Sequence, residues 1–141
     1  MKILLTTDGS DCTRRSARYL ARHLADLAAA PEVHMLYVHP PLPYPRAALA
    51  LGRKALDDFY AGEAHEALTV ATKVLDKARI PYRASFRIGD IVEEIGGYVG
   101  EAKIDLIVMG SHGHGALASM ALGSVTAKVL AGLKTPVLIV R

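Results

Sequence analysis

Three glycines and a serine in the last third of the chain have the spacing of a phosphate-binding loop. Gly110 and Gly113 follow an apolar run, and Gly123 and Ser124 precede a helical pattern. Glycine adopts positive φ at little cost and lets the backbone approach a phosphate closely. A helix N-terminus stabilises anions, and Ser124 is predicted to cap that helix and to donate to a phosphate oxygen. An ordinary glycine-rich connector remains the alternative.

Two other phosphate-binding motifs do not explain this segment. The pattern G-x-x-x-x-G-K-[ST] is absent from the sequence. Residues 113–118 match G-x-G-x-x-A, but they follow the fourth predicted strand rather than the first. An acidic residue about 20 positions later, which would hold a ribose, is also missing. We therefore interpret this second match as accidental.

The remaining chemically active residues give no convincing catalytic set. Cys12 is the only cysteine, which excludes an internal disulfide, and it is interpreted as a small residue at a helix start. His112 and His114 resemble a metal pair but lack a third ligand, so they are predicted to border a phosphate or solvent. They are also the only candidates for catalysis. We expect a binding protein rather than an enzyme, with weak hydrolysis of its phosphate-bearing ligand at most.

The elements that would position this loop alternate between strand and helix. Such alternation predicts an α/β fold with an open parallel sheet and helices on both faces. The predicted strands are Ile3–Thr7, Val33–Val38, Tyr82–Ile88, Asp105–Met109 and Pro136–Val140. The predicted helices are Thr13–Ala29, Arg53–Ala78, one from Gly89–Asp90 and one from Gly123–Ser124 with Val125, Val129, Leu130 and Leu133 inward.

The polarity of the strands predicts their places in the sheet. Tyr82–Ile88 alternates between apolar and polar residues, as expected of a half-exposed edge strand. Asp105–Met109 contains an unbroken apolar run that is typical of a central strand.

Length and composition predict one domain over residues 1–141. The chain is 51% apolar and 22% charged, which is typical of a soluble globular protein. It has no apolar run of about 18 residues, and Ile3–Leu5 is too short for a signal-peptide core. We therefore expect a cytoplasmic protein without membrane attachment. The net charge is +3, and Arg14, Arg18 and Arg22 share one helical face; we interpret this face as solvated surface, and a nucleic-acid partner is not expected.

The whole chain resembles the nucleotide-binding branch of the universal stress protein family. That branch carries G-x2-G-x9-G-[ST], and Gly110, Gly113, Gly123 and Ser124 match it in type and spacing. The opening Ile3–Ser10 resembles the family's first strand and Asp-Gly-Ser turn, and Thr135–Arg141 resembles its last strand. The likeness is weakest over residues 40–56.

The resemblance implies a Rossmann-like fold of the adenine nucleotide alpha hydrolase type, with strand order 3-2-1-4-5. It implies bound ATP, with or without Mg²⁺. Thr7 and Asp8 would lie beside the adenine and ribose, and Val38 would meet the adenine through its backbone. The matching glycines and Ser124 would hold the phosphates. The implied site residues are Thr7, Asp8, Val38, Met109, Gly110, His112, Gly113, Gly123, Ser124 and Val125.

The apolar strand Val137–Val140 is predicted to form a homodimer. An apolar edge strand is an aggregation hazard unless it is covered, and the same strand of a second copy would cover it with two-fold symmetry. The resemblance implies the same contact, while burial under the chain's own helices is the alternative.

The sequence is compatible with three functions. The first is an ATP-binding regulatory module of the stress response, acting on an unknown protein partner. The second is a slow ATPase or nucleotide-dependent transferase. The third is a dimeric interaction protein without nucleotide, against which the complete glycine set argues.

Overall fold

The computed structural model describes residues 1–24, 29–43, 52–114 and 122–141. Strands and helices alternate along this part of the chain. The strands are β1 (Lys2–Thr7), β2 (Glu32–His39), β3 (Tyr82–Ile88), β4 (Leu106–Gly110) and β5 (Val137–Val140). The helices are α1 (Asp11–His23), α2 (Arg53–Lys77), α3 (Ile91–Ala102) and α4 (Ser124–Gly132).

All five strands pair in parallel in one sheet, in the order β3-β2-β1-β4-β5. This confirms the predicted fold class and strand order. The central strands are apolar on both faces because helices cover both sides. Leu4 and Leu5 of β1, and Ile107 and Val108 of β4, have no exposed surface. The edge position predicted for β3 is also confirmed.

The sheet separates two hydrophobic cores. On one face, α1 and α2 pack against Ile3, Leu5 and Met35 through residues such as Leu20 and Leu75. On the other face, Ile95 of α3 and Val129 of α4 pack against Leu4, Leu36 and Ile107. The side chains of β1 point alternately into the two cores. This packing holds the carboxyl end of β1 in a fixed position.

Polar caps start two of the helices. Ser10 Oγ accepts a hydrogen bond from Thr13 N at the start of α1, so this helix begins two residues before its predicted start. It ends at His23, and most of the predicted extension to Ala29 falls in residues 25–28, which lie outside the described residues. Asp90 caps α3 by accepting from Val92 N and Glu93 N, as predicted.

Two predictions about α4 are wrong. Gly123 occupies the N-cap, and Ser124 is the first helical residue without a capping bond. Leu130 was predicted to face inward but is 43% exposed, because Val129 takes the inward position beside it. The apolar side of β3 is also open, since Phe86 and Ile88 are each 42% exposed.

In the described part of the chain, no helix has both the length and the apolar character needed to span a membrane. Residues 44–51, which fall within the region where the family likeness is weakest, lie outside the described residues.

Candidate functional site

The sheet topology creates a crevice at the carboxyl ends of the neighbouring strands β1 and β4. Successive connections wind to opposite sides of β1, and ligands of open α/β sheets bind outside the carboxyl ends of the strands at such a point. A cavity of about 670 Å³ lies there, within the usual size range of small-molecule sites. All ten site residues predicted from sequence line it: Thr7, Asp8, Val38, Met109, Gly110, His112, Gly113, Gly123, Ser124 and Val125.

The turn after β1 fixes the Asp8 carboxylate. Asp8 Oδ1 accepts hydrogen bonds from Ser10 N at 2.9 Å and from Thr13 Oγ1 at 2.8 Å. Burial alone would raise the pKa of Asp8, but the hydrogen bonds from Ser10 and Thr13 outweigh it, and the pKa lies below its ordinary value. The carboxylate therefore stays ionised at neutral pH, with one oxygen committed to the turn.

The Thr7 hydroxyl is committed to the protein itself. Thr7 Oγ1 donates to the carbonyl oxygen of Ala67 on α2 over 2.9 Å, and the residue is buried. Thr7 therefore contributes to the cavity wall while it anchors the end of β1 to α2.

The two ends of the glycine loop are tied together. Gly123 N donates to Ser111 O at 2.7 Å, and Ser111 N donates to Val140 O of β5. Thr126 Oγ1 on α4 donates to Gly110 O at 3.0 Å. Residues 115–121 of this loop lie outside the described residues, but its entry and exit form one closed arrangement beside the cavity.

The first and second glycines of the motif stand where a side chain would collide. A Cβ at Gly110 would lie 2.5 Å from Cβ of Cys12, and a Cβ at Gly113 would overlap the Asp8 carboxylate. The loop can lie against the β1–α1 turn only because both residues lack a side chain.

The N-terminus of α4 opens at the same end of the cavity. The first N–H groups of a helix have no intrahelical partner, and together with the helix dipole they favour an anion. Ser124 and Val125 stand in this first turn, and the exposed Ser124 hydroxyl is not used as a cap. This end of the cavity has the chemistry of a phosphate site.

The other end of the cavity is apolar and contains the end of β2. Along a strand, the backbone N–H and C=O groups of every second residue point to the same side. Glu32 N donates to Met1 O, on the β1 side of β2. Val38 lies six residues further along, so its backbone groups also point toward β1. The β1–β2 register ends at Thr7 and Tyr37, which leaves the Val38 carbonyl beyond the paired part of β1. The apolar side chains of Leu36, Ile95 and Met109 also line the cavity.

The two histidines of the loop have separate partners. His112 Nδ1 lies 2.9 Å from Ser111 Oγ. His114 Nε2 lies 3.0 Å from the backbone oxygen of Asp8, 106 residues away in sequence. In the described residues, no group of three or more His, Cys, Asp or Glu side chains could hold a metal ion.

Nine lining residues were not among the predicted site residues. Thr13 could have been found from its position in the first turn after Asp8, and Ile91 and Ile95 from their i, i+4 spacing in α3. Burial, followed by the charges of Glu63 and Asp8, raises the pKa of Tyr37, which no sequence pattern indicates. The nine are Thr6, Thr13, Leu36, Tyr37, Pro40, Ile91, Ile95, His114 and Thr126.

Comparison with known proteins places these features in one family. The family model described as Universal stress protein family matches residues 1–141. A universal stress protein of Synechocystis, Slr1230, is 32% identical over 99% of this chain, which spans only 42% of that protein. A universal stress protein of Thermus aquaticus is 34% identical and covers 99% of this chain and 97% of its own length.

Solved structures agree on the fold. UspA from Lactobacillus plantarum has a TM-score of 0.78 and 26% identity, with coverage of 100% of this chain and 97% of its own. A universal stress protein in complex with cAMP has a TM-score of 0.66 and 24% identity, covering 100% and 96%. An Arabidopsis thaliana family protein with AMP bound has a TM-score of 0.67 and 16% identity, covering 99% and 90%. Because the family model matches residues 1–141 and the two relatives are 32% and 34% identical to it, the chain belongs to the universal stress protein family.

Proposed function

We propose that this chain is a regulatory module that binds ATP and signals its bound state to a protein partner in a stress response. One observation carries the proposal. One cavity is lined both by the glycine loop and the N-terminus of α4, and by apolar side chains and the end of β2, which lies across β1 from β4. A nucleotide has the matching polarity, since it is anionic at its phosphates and flat and largely apolar at its base.

The phosphates would lie between the glycine loop and α4. Gly110, Gly113 and Gly123 bring backbone close to the ligand, and the first N–H groups of α4 point toward it. The Ser124 hydroxyl would donate to a phosphate oxygen. In this arrangement the adenine would occupy the apolar end, with its amino group donating to the Val38 carbonyl.

The Asp8 carboxylate would accept from a ribose hydroxyl. Its Oδ2 borders Gly113 of the glycine loop, and the residue follows directly after β1. A carboxylate repels phosphate but accepts hydrogen bonds from hydroxyl groups. This position favours the sugar, which joins the two ends of a nucleotide.

ATP is favoured over a shorter ligand by the long glycine loop and the open Ser124 hydroxyl. The structural neighbours with cAMP and AMP show that the family's fold accommodates adenine nucleotides in those proteins. Any Mg²⁺ would arrive with the phosphates, because the described residues supply no three-ligand metal group of their own. We assign no catalytic residue, and we expect hydrolysis to be slow.

The proposed function is tested by thermal unfolding with and without millimolar ATP and Mg²⁺. A ligand at 100 times its Kd stabilises by about 2.7 kcal/mol, which corresponds to a rise in Tm of several degrees at roughly 2–8 °C per kcal/mol. Gly113→Ala places a Cβ against Asp8 and should remove most of the rise. Gly100→Ala is the matched control, because its Cβ meets nothing within 4 Å.

A rise in the native protein and in Gly100→Ala, but not in folded Gly113→Ala, supports ATP on the glycine loop. No rise in the native protein, and no nucleotide released when the purified protein is denatured, would favour the interaction protein without nucleotide.

We also propose that the chain forms a homodimer through β5. The strand lies at the sheet edge, and all four of its residues are only half-buried. The cytoplasmic location and the single domain over residues 1–141 remain predictions from sequence.

A further inference from the structure

His114 connects the glycine loop to the turn after β1 through one defined hydrogen bond. Its Nε2 lies 3.0 Å from the backbone oxygen of Asp8. A carbonyl oxygen can only accept, so Nε2 must carry the proton. In a neutral imidazole only one nitrogen is protonated, and Nδ1 of His114 is therefore left as a bare acceptor.

His114 lines the same cavity as Gly113 and Ser124, so the charge state of its ring affects a phosphate bound there. With a bare Nδ1, the ring offers a lone pair, which repels phosphate oxygens because these are also acceptors. When the ring gains a proton, Nδ1 becomes a donor and the ring carries a positive charge, while Nε2 keeps its bond to Asp8. Charge-assisted hydrogen bonds of this type are about twice as strong as neutral ones.

Two of the other ionisable groups that line the cavity, Asp8 and Tyr37, keep their charge state near neutral pH. The carboxylate of Asp8 stays negative between about pH 6 and 8, because hydrogen bonds from Ser10 and Thr13 outweigh burial and lower its pKa. The pKa of Tyr37 on β2 is raised, chiefly by burial, so this phenol stays neutral. His112 lies on the same loop beside Ser111 and is the other histidine among the described lining residues, so it is tested separately below.

We propose that His114 makes the affinity of this pocket for the phosphate chain of its nucleotide depend on pH, with tighter binding as the pH falls from about 8 to 6. This inference rests on the proposed function, and it adds a regulatory property to the same site. His114 is exposed, so solvent protons reach it without any opening of the fold. The effect acts on the phosphates and leaves contacts to the base unchanged.

The test is calorimetric titration of the full chain with ATP at about pH 6 and pH 8, with His114→Gln and His114→Arg beside the native protein. Protonation of ATP itself changes the affinity of all three proteins equally. The difference between their pH dependences therefore reports the contribution of the side chain at position 114. We expect the native protein to gain about tenfold more affinity on acidification than His114→Gln, since one such hydrogen bond contributes about 1.4 kcal/mol. His114→Arg should bind with the same small pH dependence as His114→Gln.

A second measurement reads the ring directly. A two-bond proton–nitrogen spectrum of the ligand-free protein at about pH 8 should show the His114 proton on Nε2. Addition of ATP at about pH 6 should place protons on both nitrogens. A proton on Nδ1 in the free protein would contradict the inference.

Three binding outcomes separate this inference from the proposed function. If no protein binds ATP at either pH, the proposed function fails. If the native protein binds ATP but His114→Gln shows the same pH dependence, the role of His114 is overturned and the proposed function stands. The role of His114 is also overturned if His112→Gln alone removes the pH dependence.

Discussion

At the scale of single residues, Asp8 couples the stability of the fold to the chemistry of the cavity. It supplies the only carboxylate among the described lining residues. Its Oδ1 closes the turn through Ser10 and Thr13, while Oδ2 lies beside Gly113. Oδ1 of Asp8 therefore stabilises the turn, while Oδ2 faces the glycine loop of the cavity. A change in the charge of this side chain should affect both the turn and the cavity.

Asp8→Asn should lower the free energy of unfolding at pH 7 by about 1 kcal/mol, the value of hydrogen bonds to a charged acceptor in a partly exposed site. The folded-state pKa of Asp8 lies below its ordinary value of 3.8, so its stabilisation is present above that pH and is lost as the pH falls through the folded-state pKa. The difference between native and Asp8→Asn proteins should therefore shrink under acid conditions.

Urea unfolding at pH 7 and in acid measures this difference. Asp57→Asn is the control, because Asp57 is exposed on α2 and should give no such difference. A gap between native protein and Asp8→Asn that is unchanged in acid would show that the turn does not depend on the carboxylate charge.

At the scale of elements, two glycines illustrate opposite uses of the same residue. Gly9 has φ of +81°, and a Cβ there would lie 3.0 Å from Cα of Ala67 on α2. Gly62 stands in the middle of α2, is exposed, and a Cβ there would meet nothing within 4 Å. Only the first position needs glycine for its geometry.

Gly9→Ala should therefore destabilise the fold by about 1–2 kcal/mol, because alanine strains at positive φ and presses against α2. Gly62→Ala should stabilise it by about 0.5–1 kcal/mol through the higher helix propensity of alanine. Chemical denaturation of the two variants checks both signs. Unchanged stability of Gly9→Ala would mean that the β1–α1 turn accepts a side chain, contrary to the geometry, and destabilisation by Gly62→Ala would contradict the open space around that residue.

The elements themselves were largely predictable from sequence because their signals are local. The apolar runs around Leu4 and Val108 identify buried strands, and the bounds predicted for β3 agree with the structure. The helix ends were less predictable, since α1 begins two residues before its predicted start and Gly123 rather than Ser124 is the N-cap of α4. The exposure of Leu130 depends on which side of α4 the sheet meets, and periodicity alone does not decide that.

The site was predictable only where a motif marks it. The glycine spacing and the Asp-Gly-Ser turn led to all ten predicted residues, through the resemblance to a family rather than through periodicity. Tyr37 and Thr126 were missed because they line the cavity only once β2 has paired with β1 and α4 has packed against the end of β4. The bond between His114 and Asp8 likewise joins residues 106 positions apart, and no local pattern encodes such a contact.

At the scale of the whole molecule, the unpaired edge of β5 is the surface on which we propose that a second copy of the chain pairs. Ile107 N donates to Pro136 O, and Ser111 N donates to Val140 O, so these residues turn their backbone groups toward β4. Because backbone groups alternate along a strand, those of Val137 and Ile139 point away from β4. An apolar strand with outward N–H and C=O groups is a template for pairing with another chain.

Ile139→Pro should separate dimer formation from folding. Proline removes only the outward N–H of residue 139 and leaves the bonds of Val140 to the rest of the sheet, which is the position where edge strands tolerate proline. Light scattering after gel filtration should give twice the 15.1 kDa chain mass for the native protein and for the control Ile139→Val, and a single chain mass for Ile139→Pro. A native protein of single chain mass would refute the β5 dimer. A dimer that survives Ile139→Pro would place the contact on another surface, since pairing of two β5 edges needs that donor.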